Sequence, residues 1–222
     1  MSSQPMWMWG SSSIVWQNAV YAFGDSTYMT PAWRYDPATG GWQCKAAAPF
    51  DVKITAVGFV GDKAYIVGGG IGSLSPRLDM VLIYDFAADS WTVGPAIPAE
   101  TQFYFAAAVD GIVYAGSNDW NIPGPLVSPL FMAFDPAAGT WTTKAPMPTP
   151  RTHLATAVLG NKIFTIGGST TCCPIDAPSS VVEVYDPASN TWSTVASLAT
   201  ARIQSAATVV GGRIYVAGGL QD

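Results

Sequence analysis

The sequence predicts an all-β domain assembled from repeats, and three features predict it. First, four segments share an aromatic–Asp signature closed by Trp: YDPATGGW at 35–42, YDFAADSW at 84–91, FDPAAGTW at 134–141 and YDPASNTW at 185–192. Their aspartates Asp36, Asp85, Asp135 and Asp186 step by 49, 50 and 51 residues, and Trp42, Trp91, Trp141 and Trp192 keep the same steps. Second, a short apolar run ending in glycine precedes each signature, with a fifth such run near the C-terminus: AVYAFGD (19–25), KAYIVGGG (63–70), GIVYAGS (111–117), KIFTIGGS (162–169) and RIYVAGGL (213–220). Third, Gly-Asp, Asp-Gly, Gly-Asn and Gly-Gly turns join each of the later runs to another apolar run before it, the signal of a β-hairpin. Self-similarity at this period indicates one supersecondary unit per repeat.

Each repeat resolves into four strands in order. The first is Ala/Val-rich, as in LATAVLGN. The second ends in glycine, intact as the pairs Gly68-Gly69, Gly167-Gly168 and Gly218-Gly219 and altered to Gly24-Asp25 and Gly116-Ser117; glycine removes side chains where backbone and large aromatics approach closely. The third ends in Tyr-Asp or Phe-Asp, and the runs MVLIY (80–84) and VVEVY (181–185) suit a strand covered on both faces. Asp with Pro then sets a turn in which the carboxylate accepts backbone N–H groups. The fourth strand opens with Trp. On this view the repeated Gly, Asp and Trp residues are structural.

The pattern of diglycine, separated Tyr and Trp over residues 11–219 resembles the kelch repeat. That resemblance implies a kelch-type β-propeller of four-stranded antiparallel blades, each covered by its neighbours. A WD-repeat propeller would show Gly-His and Trp-Asp pairs, which this chain lacks. The blades are expected at about 6–48, 49–98, 99–148 and 149–199, with half of a fifth at 200–222, all within one domain spanning 1–222. The first blade has its own first strand, so the chain ends do not combine into one closing blade. An exposed sheet edge results, which proteins normally avoid. Three arrangements would answer it: the chain is a fragment of a longer propeller, it self-associates through the edge, or the Trp7-Met8-Trp9 segment covers it.

Composition agrees with a core-forming domain. Apolar residues make up 49% of the 222 and charged residues only 11%, and no run reaches the roughly 18 apolar residues of a membrane span. A net charge of −5 with ten Lys and Arg argues against nucleic acid, which needs clustered basic side chains. The N-terminal MSSQPMWMWG has neither a basic n-region nor an apolar h-region; it is not a secretory signal, and the expected compartment is the cytoplasm if Met1 is the native N-terminus.

Catalytic chemistry finds little to work with. His153 is the sole histidine, so a two-histidine copper or zinc centre within one chain is ruled out. The ligand set of the copper radical oxidases that share kelch-like folds is therefore missing, and no metal or cofactor is expected. Gly68-Gly69-Gly70-Ile71-Gly72 imitates a phosphate loop but lacks the following Lys-Ser/Thr. Cys172-Cys173 offers a soft-metal or redox pair, or simply a loop.

In antiparallel four-stranded blades the 2–3 loop and the 4–1 connection share one face. Counted from the first Gly to the third-strand aromatic, the 2–3 segments run 11, 16, 18 and 18 residues and differ from one another. Variable loops on a rigid scaffold are where function concentrates. The candidate contacts there are Trp120 and Asp119 in the third blade, Arg77 in the second, and Arg151 and Arg202, each 16 residues before a diglycine. The arginines have two readings: hydrogen bonds to neighbouring carbonyls, or an anionic partner. The functional expectation is a non-catalytic module binding a protein or peptide on this face. The alternative is a carbohydrate-binding or sugar-epimerase-like propeller, for which Glu100 is the candidate acid.

Overall fold

The computed structural model describes residues 9–25, 31–49, 56–68, 79–98, 103–117, 124–125, 130–172 and 177–221. It divides into two compact units, Met1–Gln102 and Phe103–Asp222. All described regular structure is β.

The first unit holds two sheets of four antiparallel strands. One comprises β1 (Trp9–Trp16), β2 (Ala19–Asp25), β3 (Pro31–Asp36) and β4 (Gly41–Ala47); the other comprises β5 (Val57–Val60), β6 (Lys63–Val67), β7 (Met80–Asp85) and β8 (Ser90–Ala96). The second unit holds β9 (Phe103–Val109), β10 (Ile112–Ser117), β12 (Leu130–Asp135) and β13 (Thr140–Thr143) in one sheet. Its next sheet has β14 (Ala155–Leu159), β15 (Lys162–Ile166), β17 (Val182–Asp186) and β18 (Thr191–Val195). A two-stranded sheet of β19 (Ile203–Val210) and β20 (Arg213–Leu220) follows. The fold is thus the expected one: four complete blades and a fifth of two strands.

The repeat signature is a register device. Tyr35 pairs with Trp42, Tyr84 with Trp91, Phe134 with Trp141 and Tyr185 with Trp192. In each pair the ring centroids lie 5.0–5.2 Å apart, a separation at which aromatic pairs contribute about 0.5–1.5 kcal/mol beyond area burial. The turn between them is closed by the aspartate: Oδ1 of Asp36, Asp85, Asp135 and Asp186 accepts the amide of Ala38, Ala87, Ala137 and Ala188. The last turn residue takes a left-handed backbone, with φ of 66°, 49°, 67° and 53° at Gly40, Asp89, Gly139 and Asn190. Gly, Asn and Asp reach that region at least cost.

Within each unit the blades are held by aromatic packing and by a polar clip. Phe23, Tyr84 and Phe86 fill the core of the first unit; Phe131, Tyr114 and Tyr185 fill that of the second. In the first unit Asp89 Oδ1 accepts the Ala46 amide (2.9 Å) and the Tyr84 hydroxyl (2.7 Å), while Trp91 Nε1 donates to the Ala46 carbonyl (2.7 Å). In the second unit Asn190 Oδ1 accepts the Ala145 amide (3.0 Å) and the Tyr185 hydroxyl (2.8 Å), while Trp192 Nε1 donates to the Ala145 carbonyl (2.8 Å). Burial raises both phenols, that of Tyr185 to about 12.

The two clips differ in one proton. Burial pushes the Asp89 carboxyl up, but the Ala46 amide, the Lys45 ammonium and the Tyr84 hydroxyl outweigh it and hold the group below its ordinary value. A carboxylate depressed in the folded state contributes stability above its unfolded pKa, near 3.9, and that contribution is lost as pH falls through the lower folded value. Asn190 has no such proton. The ion-paired turn carboxylates Asp85 and Asp186 are lowered alike, by Lys63 and Lys162, which leaves Asp89 as the clip difference. At a common pH below about 4, indole N–H exchange is expected to accelerate at Trp91 relative to Trp192, and Asp89→Asn should remove the gap. NMR exchange rates check this; an unchanged ratio would count against the clip.

Candidate functional site

The loop end of the fourth blade is built around its diglycine. Gly167 and Gly168 end the second strand with φ of 62° and 94°, and their backbone ties three segments together. Gly167 N donates to the Val181 carbonyl (3.0 Å) and Gly168 N to the Arg202 carbonyl (2.8 Å), while the Gly168 carbonyl accepts from Ser179 N (2.8 Å). A Cβ on Gly167 would stand 2.6 Å from the Arg202 carbonyl oxygen, and one on Gly168 would stand 2.5 Å from that of Thr152. The glycines are required because neighbouring backbone occupies the space.

Arg151 lies beneath this knot with no exposed surface. Its Nη1 donates to the Gly167 and Val181 carbonyls, and its Nη2 to Thr165 Oγ1 (3.1 Å) and Glu183 Oε2 (2.8 Å). Glu183, 1% exposed, also accepts the Thr149 hydroxyl at Oε1 (2.7 Å). Burial lowers the guanidinium below its ordinary value against the pull of Glu183, but arginine is basic enough to stay charged. The ion pair is thus buried with both partners hydrogen-bonded, the condition under which such a pair is tolerated. No surface of Arg151 is left for a partner to touch.

Arg202 occupies the corresponding place before the fifth blade and is half-buried. Its Nη1 donates to the Gly218 carbonyl (2.8 Å), across the same 16-residue interval that separates Arg151 from Gly167. The diglycine at 167–168 brings the two arginines together, one through its carbonyl and one through its amide. His153 and Gln204, at matching places in the two blades, share a left-handed backbone (φ 52° and 55°), and Gln204 N donates to the His153 carbonyl (2.8 Å). Burial lowers the His153 imidazole, so the ring is neutral near pH 7 and works as part of the blade junction.

The long 2–3 segments of the third and fourth blades meet each other. β11 (Gly124–Pro125) pairs antiparallel with β16 (Thr171–Cys172). Ser169 bridges to Thr152 and Pro178, and its hydroxyl donates to the Thr171 carbonyl (2.9 Å). Non-repeating loops are thereby stitched onto the repeating scaffold. Trp120, Asp119 and Arg77, with Gly69, Glu100 and Cys173, lie outside the described residues. Among the described residues no group of three or more His, Cys, Asp or Glu side chains is placed to hold a metal.

Two clusters escape a sequence reading: the Arg151–Glu183–Thr165 network and the Asp89 and Asn190 clips. The first had a faint signal, since Glu183 is an acid inside an otherwise apolar strand. The second had one in the residue before Ser/Thr/Gly-Trp, which is Gly, Asp, Gly or Asn in the four copies.

Known proteins align with this architecture. The Kelch motif family model matches residues 55–97 and 150–199, covering most of the second and fourth repeats, whose glycine pairs are intact. Kelch-like protein 36 of Bos taurus is 31% identical over 191 residues, 84% of this chain and 30% of the relative. Kelch-like protein terF of Aspergillus terreus is 28% identical over 207 residues, 88% of this chain and 45% of the relative. The chain thus spans less than half the length of these curated relatives. The solved structure of YjhT superimposes with a TM-score of 0.78 at 17% identity, covering 97% of this chain and 73% of that one, a likeness of fold. With the diglycine, the Tyr–Trp register and the four-stranded blades in place, the chain belongs to the kelch-repeat proteins and has their β-propeller fold.

Proposed function

We propose that this protein is a non-catalytic interaction module that binds a protein or peptide through the face carrying the 2–3 and 4–1 loops. One observation carries the reading: the repeating polar residues are consumed inside the blades, whereas the non-repeating 2–3 loops of the second unit are knit together through β11 and β16. A rigid scaffold presenting dissimilar loops suits recognition. The names of its relatives, Kelch-like protein 36 and Kelch-like protein terF, identify kin and no shared partner. Within this reading Trp120 is the anchor, as buried aromatic contacts dominate interface energetics, and Asp119 and Arg202 are further contacts. Arg77 belongs to the first unit and is tested on its own.

The test identifies a partner by cross-linking and mass spectrometry, then measures its affinity by titration calorimetry. Trp120→Ala is expected to weaken binding at least thirtyfold, matching a hot-spot loss of about 2 kcal/mol, with the unfolding midpoint unchanged. Full affinity in Trp120→Ala and in Asp119→Ala would overturn the placement.

A further inference from the structure

Three of the four complete blades guard the strand that ends their sheet, and the fourth blade does not. Among the described residues the last strand of each blade is paired on one side only, which leaves a row of backbone N–H and C=O groups open to another strand. β4 carries Lys45, ion-paired with Asp89 (2.9 Å), and its register against β3 slips between Pro31 and Trp33. β8 carries Gly94 and Pro95, and its register against β7 slips between Met80 and Leu82. β13 ends at Thr143 and runs into Lys144, Pro146 and Pro148. Charge, proline and irregular register are the devices that keep sheet edges from pairing.

β18 has none of them. It follows β17 residue for residue from Asp186–Thr191 to Val182–Val195, with no slip. No charged residue, proline or glycine occurs from Thr191 to Ala201. Thr191, Ser193, Thr194 and Val195 are exposed, Val195 by 40%. Trp192 alone is committed to its own unit, through the Ala145 carbonyl (2.8 Å) and the Tyr185 ring. A regular, uncharged strand rich in Thr and Val is the kind that pairs when left open. The edge belongs to a complete four-stranded blade and is a property of that blade.

We infer that β18 is a self-association edge, pairing antiparallel with β18 of a second copy about a twofold axis at Ser193. The occupant follows from charge. A charged partner strand finds no opposite charge to read on β18, whereas a second copy brings a strand as neutral as the first. In the twofold register Thr191 stands opposite Val195 of the second copy, Trp192 opposite Thr194, and Ser193 opposite Ser193. No like charges are set against each other, and hydroxyl, β-branched and aromatic pairs of this kind favour a ladder. The contact is isologous, so it closes at two copies. It is also narrow, so the dimer is a weak one. Each copy carries a net charge of −5, and that repulsion is screened by salt. This surface is distinct from the loop face proposed above.

The test uses the full chain. Sedimentation velocity over a rising concentration series is expected to show a monomer–dimer equilibrium that tightens with added salt. Ser193 faces its own copy in this register, so Ser193→Lys and Ser193→Glu should each weaken dimerisation roughly tenfold or more, and an equimolar mixture of the two should restore it. Ser193 is exposed, so both variants should keep the parent's melting midpoint. Hydrogen exchange should slow on β18 as concentration rises. A chain that stays monomeric throughout would leave the edge to a foreign strand and overturn the inference. So would a dimer that both Ser193 variants leave intact, which would lie on another surface. So would β18 amides already protected in the dilute monomer, since another segment of the same chain would then occupy the edge.

Discussion

Replacing Glu183 with Gln is expected to lower the unfolding free energy by about 3–5 kcal/mol, among the largest single-residue losses in the molecule. The guanidinium of Arg151 has no exposed surface and Glu183 is 1% exposed. Glutamine keeps the shape and one acceptor oxygen but withdraws the charge of Glu183, so the buried cation exchanges a charged acceptor for a neutral one. Arg151 Nη1 still holds the Gly167 and Val181 carbonyls, dipoles that are weaker partners for a buried cation than a carboxylate. Thr149 Oγ1 also loses its charged acceptor. The prediction separates charge from shape. The double variant Arg151→Met with Glu183→Leu removes both charges, and it is expected to recover most of the loss, because an apolar replacement of a buried pair is often neutral or stabilising. Thr165→Val should cost about 1.5–3 kcal/mol, since its hydroxyl accepts from the charged Arg151 guanidinium and donates to the Glu183 carbonyl. Urea unfolding followed by near-ultraviolet dichroism of the Tyr185–Trp192 region measures all three. A Glu183→Gln variant within 1 kcal/mol of the parent would show that the pair is not what holds the third strand to the diglycine.

What a sequence shows of such a fold depends on whether the signal repeats. The Tyr–Trp pairing was legible because one offset, seven residues across a tight turn, recurs in four blades and lands each aromatic opposite its Trp. The two-stranded fifth sheet was legible for the same reason: residues 203–220 repeat the first and second strands and stop short of a Tyr-Asp. The clip was not, since Gly40 and Gly139 stand where Asp89 and Asn190 stand. What the four share is a left-handed backbone, and the hydrogen-bonding side chain appears in only half of them. The Arg151 network was not legible either. It joins the segment before β14, the second strand and the third, three stretches whose meeting depends on tertiary register. The placement of Arg151 and Arg202 on the loop face followed from strand alternation, but alternation says nothing about depth, and depth separates a buried ion pair from a half-buried fork. The loops around Asp119 and Trp120 carry no period, so nothing in the sequence fixes where their side chains go.

Depth also governs the contrast between two glycines that look equivalent in sequence. Gly167→Ala is expected to destabilise by about 3 kcal/mol or more, and Gly218→Ala by only about 1–2 kcal/mol. Both residues hold a left-handed backbone, φ 62° and 71°, so both pay the steric penalty of about 1–2 kcal/mol for a Cβ in that region. Only Gly167 adds a collision. Its Cβ would stand 2.6 Å from the Arg202 carbonyl oxygen and 3.4 Å from that of Ser179. Neither is the yielding end of a flexible side chain. Relief requires the segment at Arg202 to move, which strains the Gly168 N to Arg202 bond and the Arg202 N to Ser179 bond. A shifted Arg202 also loses its reach to the Gly218 carbonyl, so the change passes from the fourth blade into the fifth. The readout is therefore double: the unfolding midpoint falls, and exchange of the β19–β20 amides quickens in Gly167→Ala but not in Gly218→Ala. Equal costs at the two positions would mean that the backbone angle alone requires glycine there, and that the fifth hairpin is not seated on the Gly167–Gly168 knot.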